Sequence, residues 1–212
     1  LNLEKNSYDI IVSNCVVNLS PNKESVFKQV YNMLKNGGEF YFSDVYSSKR
    51  IPKDLQNDDI LWGECLSGAL YSNDFLGLVK KCGFTDPRLV SRKPITIRNK
   101  ILEEKVHGID FFSATYRLFK IPNKLEPNCE DYGQAVIYNG TIENHPFFWD
   151  LDSNHRMYKN KVFPVCGNTW LMLYESRFKE HFEFIGNFDT HFGLFDCSSS
   201  INENKNNSST CC

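Results

Sequence analysis

The chain alternates short apolar runs with polar clusters, and near its start this pattern predicts a strand, a helix and a second strand. Residues 10–12 form a continuous apolar run, which predicts a strand at the centre of a parallel sheet covered by helices on both faces. Apolar side chains recur at helical spacing over residues 26–34. The Ser-Pro pair at 20–21 predicts the start of this helix, and the glycine pair at 37–38 predicts its left-handed end. Residues 39–42 complete a predicted βαβ unit.

Small polar residues end both predicted strands. Ser13 and Asn14 follow the first strand and precede Cys15, while Ser43 and Asp44 follow the second strand. In open α/β sheets, ligands bind beyond the carboxyl ends of the strands, so these two tips are expected to lie side by side at a binding site. Cys15 is then a small reactive group at the mouth of that site.

Farther along, the same patterns predict two helices and two strands. Helices are expected at 52–62 and 72–83, and residues 63–68, which begin and end in glycine, predict a loop or helix turn with close backbone approach. Strands are expected at 88–91 and at 111–120, where the side chains alternate between two faces.

The character of the chain changes near residue 120, which divides a predicted α/β domain, residues 1–120, from a smaller part. Residues 121–131 hold two prolines and several polar side chains and are predicted to be a linker. Residues 132–197 are predicted to be a separate small α+β domain, and the Asn- and Ser-rich residues 198–212 a disordered tail. The elements predicted in the small domain are strands at 134–138, 146–149 and 192–197 and a helix at 168–181.

Composition narrows the classes of function. With 41% hydrophobic and 24% charged residues, the 212-residue chain has the balance of a globular protein. Its formal net charge is −2, so no preference for nucleic acid or membrane surfaces is expected, and no apolar run is long enough to span a membrane. The chain begins with Leu and leads directly into a strand, so we expect it to be truncated or to be part of a longer product.

The eight cysteines, at positions 15, 65, 82, 129, 166, 197, 211 and 212, include no CxxC pair. Zinc-ribbon and thioredoxin signatures are therefore missing, and reduced thiols in a cytosolic protein are the favoured interpretation. Cys15 at a strand tip and Cys65 in a glycine-flanked loop are the two thiols best placed for a site. If they meet, they form a soft site for zinc, Cu(I) or a thiophilic metalloid, and the lack of a neighbouring histidine counts against zinc.

Other interpretations of these residues stay open. Cys15 could simply be packed, because free cysteine often behaves as a small hydrophobe, or it could pair with His107 for catalysis, although no acyl-transfer motif accompanies it. Asp44 and Asp59 could act as acid–base groups, but a solvated helix charge is favoured for Asp59. No GxGxxG or Walker motif occurs. Cys82 and the cysteines at 129, 166 and 197 are expected to pack, whereas the adjacent pair at 211–212 could capture soft metals or simply oxidise, with no specific role favoured.

Four segments together resemble the arsenite methyltransferase family in its animal-type branch. They read DIIVSNCVVNLSPNK (9–23), LKNGGEFYFSDVYS (34–47), LWGECLSGALY (61–71) and FFSATYRLFK (111–120). The stretches around GGEFYFSDVY and GECLSGALY are specific, whereas other methyltransferases share the first only loosely. The similarity continues more weakly through EDYGQAVIYNG (130–140) and HFGLF (191–195).

The resemblance implies the C-terminal half of a Rossmann-like class I methyltransferase sheet, followed by a small α+β domain. It implies an enzyme that transfers a methyl group from S-adenosylmethionine to thiolate-bound trivalent arsenic. Cys15 and Cys65 match the arsenic ligands of the family, and Ser13, Asn14 and Val16 would lie nearest the cofactor. The implied partners are arsenite or methylated trivalent arsenicals as thiol adducts and a thiol reductant such as thioredoxin or glutathione, in the cytoplasm, with no nucleic acid and no membrane.

The sequence also differs from the family pattern. The family's glycine-rich cofactor loop and its upstream cysteines would precede residue 1, so we expect this chain alone not to turn over. Two alternatives remain: a methyltransferase of a small organic substrate, for which Cys15 and Cys65 would lie apart, or a non-catalytic thiol module that binds soft metals.

Overall fold

The computed structural model describes residues 4–196, and a five-stranded sheet dominates its first part. The strand order is β1-β2-β5-β4, with β3 paired to the end of β2. β1 and β3 run parallel to β2, whereas β5 is antiparallel to both of its neighbours. The strands are β1 (Tyr8–Asn14), β2 (Leu34–Ser47), β3 (Leu70–Tyr71), β4 (Arg88–Ile95) and β5 (Phe111–Phe119).

The predicted βαβ unit is confirmed, but β1 lies at an edge of the sheet and not at its centre. Within residues 4–196, β1 pairs on one side only, in register from Ile10 opposite Glu39 to Asn14 opposite Ser43. The two polar strand tips are therefore side by side, as predicted. Ile10 is 41% exposed and Val12 66% exposed, so the apolar run is not covered on both faces. An apolar run alone does not distinguish a central strand from an edge strand, because the neighbouring strands are distant in sequence.

Helix α1 (Lys23–Met33) starts later and ends earlier than the sequence suggested. Asn22 caps it by accepting a hydrogen bond from the backbone N–H of Ser25 at 2.9 Å, so the Ser-Pro pair lies before the helix. The glycine pair lies inside β2, where Gly37 has φ +83° and a Cβ would stand 1.9 Å from the carbonyl oxygen of Glu175. Gly37 therefore allows close contact with the second part of the chain. Glycine is needed here because there is no room for a Cβ, and not because a helix ends.

The remaining helices of the sheet region are short. The helix predicted at 52–62 is interrupted at Asn57, whereas the helix predicted from residue 72 is confirmed. α5 was not predicted, and β4 extends beyond the predicted strand. The helices are α2 (Lys53–Gln56), α3 (Asp59–Gly63), α4 (Ser72–Lys81) and α5 (Lys100–Lys105).

Aromatic side chains form the core between the sheet and helices α1 and α4. Phe42 and Tyr46 from β2 meet Phe27 from α1 and Phe75 from α4, with ring centroids 4.9–6.0 Å apart in tilted and edge contacts. Such contacts add to the burial of apolar surface that stabilises a fold. This core fixes β2, whose carboxyl end lies beside that of β1.

The second part is built from short strands around helix α6 (Gly167–Tyr174). The predicted helix at 168–181 is thus shorter and is followed by a separate 3-10 turn at Lys179–His181. β6 pairs with β12, β7 lies between β10 and β11, and β8 pairs with β9. The strands are β6 (Glu130–Asp131), β7 (Ala135–Tyr138), β8 (Phe148–Asp150), β9 (Arg156–Tyr158), β10 (Val162–Pro164), β11 (Phe182–Ile185) and β12 (Gly193–Leu194).

A separate hydrophobic core holds this second part together. It takes Phe119 from the end of β5 and Ile121 just after it, and both pack with Trp149, Met172 and Phe178. The chain therefore passes from one core to the other near residue 120. The boundaries given for the two domains and the linker remain predictions. Cys197, the end of the predicted last strand, and the predicted tail at 198–212 lie outside the described residues.

Ion pairs join the two parts. Buried Glu39 on β2 pairs with Arg177 at 2.6 Å, and buried Arg88 at the start of β4 pairs with Asp152 at 3.4 Å. Within the sheet, Glu39 also pairs with Arg117 of β5 at 3.3 Å. Among the helices of residues 4–196, none has the length and apolar character required to cross a membrane.

Candidate thiol site at the edge of the sheet

Cys15 follows β1 directly and holds a left-handed backbone conformation, with φ 52°. Its N–H donates to the carbonyl oxygen of Ser43 at 2.8 Å, which continues the β1–β2 ladder by one residue. Its thiol donates to Oδ1 of Asn14 at 3.6 Å. A left-handed conformation costs a non-glycine residue about 1 kcal/mol or more. Such local strain is found at functional sites, where the surrounding structure maintains it.

Cys65 has the same unusual conformation, with φ 59°, at the end of helix α3. The backbone N–H of Cys65 donates to the carbonyl oxygen of Trp62 at 3.0 Å, and the N–H of Leu66 donates to that of Leu61 at 2.8 Å. These two bonds form a Schellman motif, in which the position held by Cys65 is usually glycine. The fold therefore places a thiol where a residue without a side chain would be less strained.

The segments that carry the two cysteines pack against each other. A Cβ on Gly68 would stand 2.3 Å from the carbonyl oxygen of Asn18, so the loop after Cys65 lies directly on the 3-10 turn (Val17–Leu19) that follows Cys15. This is the close backbone approach that the flanking glycines predicted. The charge of Cys65 also raises the pKa of Cys15, so the two thiols lie within electrostatic reach of each other. The structure thus places the two predicted thiols on segments that pack against each other.

A buried carboxylate, Asp44, lies at the same place. It is 1% exposed, and it accepts hydrogen bonds from the backbone N–H of Asn18 at 3.0 Å and of Val45 at 2.8 Å. Burial raises the pKa of Cys15 and of Cys65, and the negative charge of Asp44 raises both further. The two thiols therefore keep their protons at neutral pH and lose them when a thiophilic ligand binds.

Two residues around the thiols, Asn18 and Lys23, were missed as site residues in the sequence. Asn18 is buried and donates from Nδ2 to the carbonyl oxygen of Val45 at 2.6 Å, which ties the turn after Cys15 to β2. Lys23 is half-buried, and burial lowers its pKa whereas Asp44 raises it. Asp44, which the sequence offered as a possible acid–base group, lies near both thiols, and its negative charge raises the pKa of each. The sequence did offer one signal for Asn18, which is a single Asn between apolar residues. A buried side-chain amide needs hydrogen-bond partners, so such a residue indicates a specific contact.

The predicted cofactor residues lie beside Cys15 at the open edge of the sheet. Ser13 is half-buried, whereas Asn14 and Val16 are exposed, Val16 by 61%. An exposed apolar side chain next to polar groups at the carboxyl end of a strand fits a ligand of mixed polarity such as S-adenosylmethionine. These residues fit one side of such a site.

The other cysteines and His107 lie elsewhere. Cys82 is buried in the core and its thiol faces the carbonyl oxygen of Glu24 at 3.8 Å, as the packing prediction implied. His107 is exposed after α5. In the part of the chain that the structure describes, no three His, Cys, Asp or Glu side chains converge as a metal site. The cysteines at 211–212 lie outside that part.

Comparison with known proteins agrees with this fold. An arsenite methyltransferase from Aquipseudomonas alcaligenes is 57% identical over 196 residues, covering 92% of this chain and 56% of its own length. The rat arsenite methyltransferase is 45% identical and covers 86% of this chain and 48% of its own length. The chain thus spans about half the length of the curated relatives it matches.

Among solved structures, an arsenic(III) S-adenosylmethionine methyltransferase from Chlamydomonas reinhardtii superposes with a TM-score of 0.88 at 47% identity. It covers 92% of this chain and 65% of its own length. The predicted fold class, the C-terminal half of a Rossmann-like sheet followed by an α+β part, is confirmed.

Two family models define the class and then the family. A model described as a methyltransferase domain matches residues 1–83, which together with the parallel pairing of β1 and β2 gives the class, a methyltransferase-type α/β domain. A model described as the arsenite methyltransferase C-terminal domain matches residues 132–208. The chain belongs to the arsenite methyltransferase family.

Proposed function

We propose that this chain carries the arsenic-binding part of an arsenite methyltransferase, in which Cys15 and Cys65 together hold trivalent arsenic. The observation that supports the proposal most is the convergence of two cysteines from separate segments, both in left-handed conformations that favour glycine. A single cysteine in a left-handed conformation could be explained by packing. Two such cysteines, each within the electrostatic range of the other, are better explained by a ligand that both bind.

The chemistry of trivalent arsenic suits this pair. Thiolates are soft ligands, and arsenic bound to them keeps a lone pair. When bound, S-adenosylmethionine supplies an electrophilic methyl group on its sulfonium. The role of Cys15 and Cys65 is to hold the arsenic lone pair in line with that methyl group, which is catalysis by proximity and alignment. Ser13, Asn14 and Val16 are the residues that we assign to the cofactor, because they flank Cys15 at the carboxyl end of β1.

No general base is needed for the two thiols to bind arsenite. Arsenite brings hydroxyl groups that leave as water with the protons that the two thiols release, so the raised pKa values do not prevent binding. The proposed substrates are therefore arsenite or methylated trivalent arsenicals delivered as thiol adducts. The proposed reductant is thioredoxin or glutathione, and the proposed location is the cytoplasm, where thiols stay reduced.

Arsenite binding to the reduced chain tests this assignment. In the reference variant for this test, the cysteines at 197, 211 and 212 are replaced with Ser, so that only the cysteines of the described region remain. Cys15→Ser/Cys65→Ser should weaken binding by at least about 100-fold, because both arms of a chelate are lost. Cys82→Ser is the matched control and should change binding by less than about 3-fold, because its thiol lies in the core. Unchanged binding in the double variant would contradict the proposal.

Cofactor binding tests the second expectation, that the chain alone does not turn over. Titration with S-adenosylmethionine should give weaker binding than to a full-length arsenite methyltransferase from the same family, because this chain spans about half the length of such relatives. Binding as tight as that of the full-length enzyme would overturn this expectation without affecting the arsenic assignment.

A further inference from the structure

We propose that Cys129 and Cys166 form a second, separate thiol site, a redox-active pair that a hydroperoxide converts reversibly into a disulfide. The pair lies in the second part of the chain, away from Cys15 and Cys65. Sequence patterns gave these two cysteines no partner, and the expectation was that each would simply pack.

The two side chains meet in the interior. Cys129 lies just before β6 and is 7% exposed, whereas Cys166 is the N-cap of α6 and is fully buried. The thiol of Cys129 donates a hydrogen bond to the sulfur of Cys166. Neither is in a disulfide in this structure. Two thiols joined by a hydrogen bond satisfy the first geometric requirement for a disulfide, which is proximity.

The surroundings favour a thiolate on Cys166. Its sulfur lies 3.3 Å from Oγ1 of Thr169 and 4.0 Å from Nη2 of Arg88. The hydrogen bond from Cys129, together with the positive charge of Arg88 and the hydroxyl of Thr169, lowers the pKa of Cys166 to about 5, although burial opposes the shift. The thiolate is the nucleophile in thiol oxidation, so Cys166 is the attacking residue of the pair.

Arg88 has other partners that remain when the thiolate is consumed. Its guanidinium pairs with Asp86 at 2.7 Å and with Asp152 at 3.4 Å, and Asp152 in turn contacts Nδ1 of His155 at 2.7 Å. A neutral disulfide at Cys166 therefore leaves no unpaired cation behind. The fold can hold both the dithiol and the disulfide without a buried unbalanced charge on Arg88.

The reaction balances in two steps. The Cys166 thiolate attacks one oxygen of hydrogen peroxide, forms a sulfenic acid and releases hydroxide, which becomes water by taking up the proton that the Cys166 thiol lost to the solvent on ionisation. Cys129 then attacks the sulfenic sulfur, which forms the disulfide, and the sulfenic oxygen leaves as water with the proton from Cys129. The two thiols are oxidised and the peroxide is reduced to two waters. A dithiol reductant returns the pair to two thiols by exchange.

Local opening gives the oxidant access. The carbonyl oxygen of Cys129 accepts the N–H of Phe195 at 2.8 Å, beside the two-residue ribbon of β6 and β12. A ribbon this short opens far more readily than the core. Leu194 on its outer side is 73% exposed, so little apolar surface opposes the opening.

Peptide mapping of the unaltered full chain tests the proposal. The reduced chain is treated with hydrogen peroxide under native conditions, digested, and analysed by mass spectrometry. We expect a cross-linked peptide that contains Cys129 and Cys166, that disappears on treatment with dithiothreitol, and that accompanies a rise in Tm on the order of 5–10 °C. Far-UV circular dichroism checks that the chain stays folded. A folded chain without this cross-linked peptide, or one that forms it only in denaturant, would overturn the proposal.

Single variants assign the roles of the two thiols. In Cys129→Ser the resolving thiol is missing, so dimedone should trap a sulfenic acid on Cys166. In Cys166→Ser dimedone should label residue 129 at least about 10-fold more slowly, because the stabilised thiolate is gone. Equal labelling of the two variants would contradict the assignment of Cys166 as the attacking residue.

Discussion

Two pairs of cysteines converge in this molecule, and their surroundings are opposite. Cys15 is exposed and Cys65 is half-buried at the edge of the sheet, beside the buried carboxylate of Asp44, and the pKa of each thiol is raised. Cys129 and Cys166 are buried beside the guanidinium of Arg88, and the pKa of Cys166 is lowered.

The difference shows that the neighbouring charge and the access to solvent together decide what a thiol pair does. An accessible pair that stays protonated suits a ligand that displaces protons, as trivalent arsenic does. A buried pair with a stabilised thiolate suits a slow, controlled oxidation. Neither property can be read from the spacing of the cysteines alone.

The largest effect is expected from removing the cation of the buried pair. Arg88→Gln should lower the free energy of unfolding by about 3–5 kcal/mol, because Asp86 and Asp152 lose their buried partner. Urea denaturation measures the change. Arg92→Gln is the matched control on the same strand: Arg92 is exposed, stacks on Phe112 and should cost about 1 kcal/mol or less. Equal losses of unfolding free energy in the two variants would show that the buried ion pairs of Arg88 do not stabilise the fold more than the exposed Arg92 does.

A smaller effect is expected where the two segments of the arsenic site touch. Gly68→Ala places a Cβ against the carbonyl oxygen of Asn18, so the loops that carry Cys15 and Cys65 must move apart. Arsenite affinity should fall at least about 10-fold, with a loss of stability of about 1–3 kcal/mol. Gly63→Ala has open space at its Cβ and serves as the control. If both variants bind arsenite with equal affinity, the contact at Gly68 does not determine how the loops of Cys15 and Cys65 are placed for arsenic binding.

The strain at Cys65 predicts a change of opposite sign. Cys65→Gly should raise or preserve the free energy of unfolding, by about 0–1 kcal/mol, because glycine suits the left-handed position at the end of α3. Arsenite binding should be lost in the same variant. Cys82→Gly is the control: it ends α4 at φ −83° and packs in the core, so glycine should destabilise the chain. Destabilisation by Cys65→Gly would mean that its thiol is structural.

The smallest effect is expected on the titration of the exposed pair. Asp44→Asn removes the negative charge beside Cys15 and Cys65, so the pKa of each thiol should fall and alkylation by iodoacetamide at pH 7 should be faster by a few-fold. Since both pKa values are raised in the folded chain, stability from these thiols is present at neutral pH and decreases as the pH rises through them. Asp59→Asn, at an exposed position on α3, is the control. A slower reaction in Asp44→Asn would contradict the assigned charge effect.

Local patterns predicted much of this fold. The βαβ unit, helix α4 and strand β5 depend on apolar periodicity, which neighbouring residues determine. The thiol site was also predictable in outline, because a polar strand tip and a glycine-flanked loop both mark places where the backbone is exposed or tightly packed. The cofactor residues and the arsenic ligands came from resemblance, and their roles stay proposals.

The features that the sequence did not predict depend on contacts between distant segments. The edge position of β1 is set by which strands lie beside it. Ser20 and Asn22 are both acceptable helix caps, so local chemistry did not choose between them. Gly37 is used for contact with Glu175, and Cys129 meets Cys166 only after the second core has formed.

X-ray absorption spectroscopy of arsenic bound to the reduced chain tests the central claim most directly, with a phosphine as the reductant so that no other thiol is present. The reference variant again carries Ser at 197, 211 and 212. We predict that arsenic is bound by two sulfur atoms in this reference variant and by one or none in Cys15→Ser and in Cys65→Ser. Sulfur coordination that persists unchanged in Cys15→Ser/Cys65→Ser would place the arsenic on Cys129 and Cys166 and would contradict the assignment of the exposed pair.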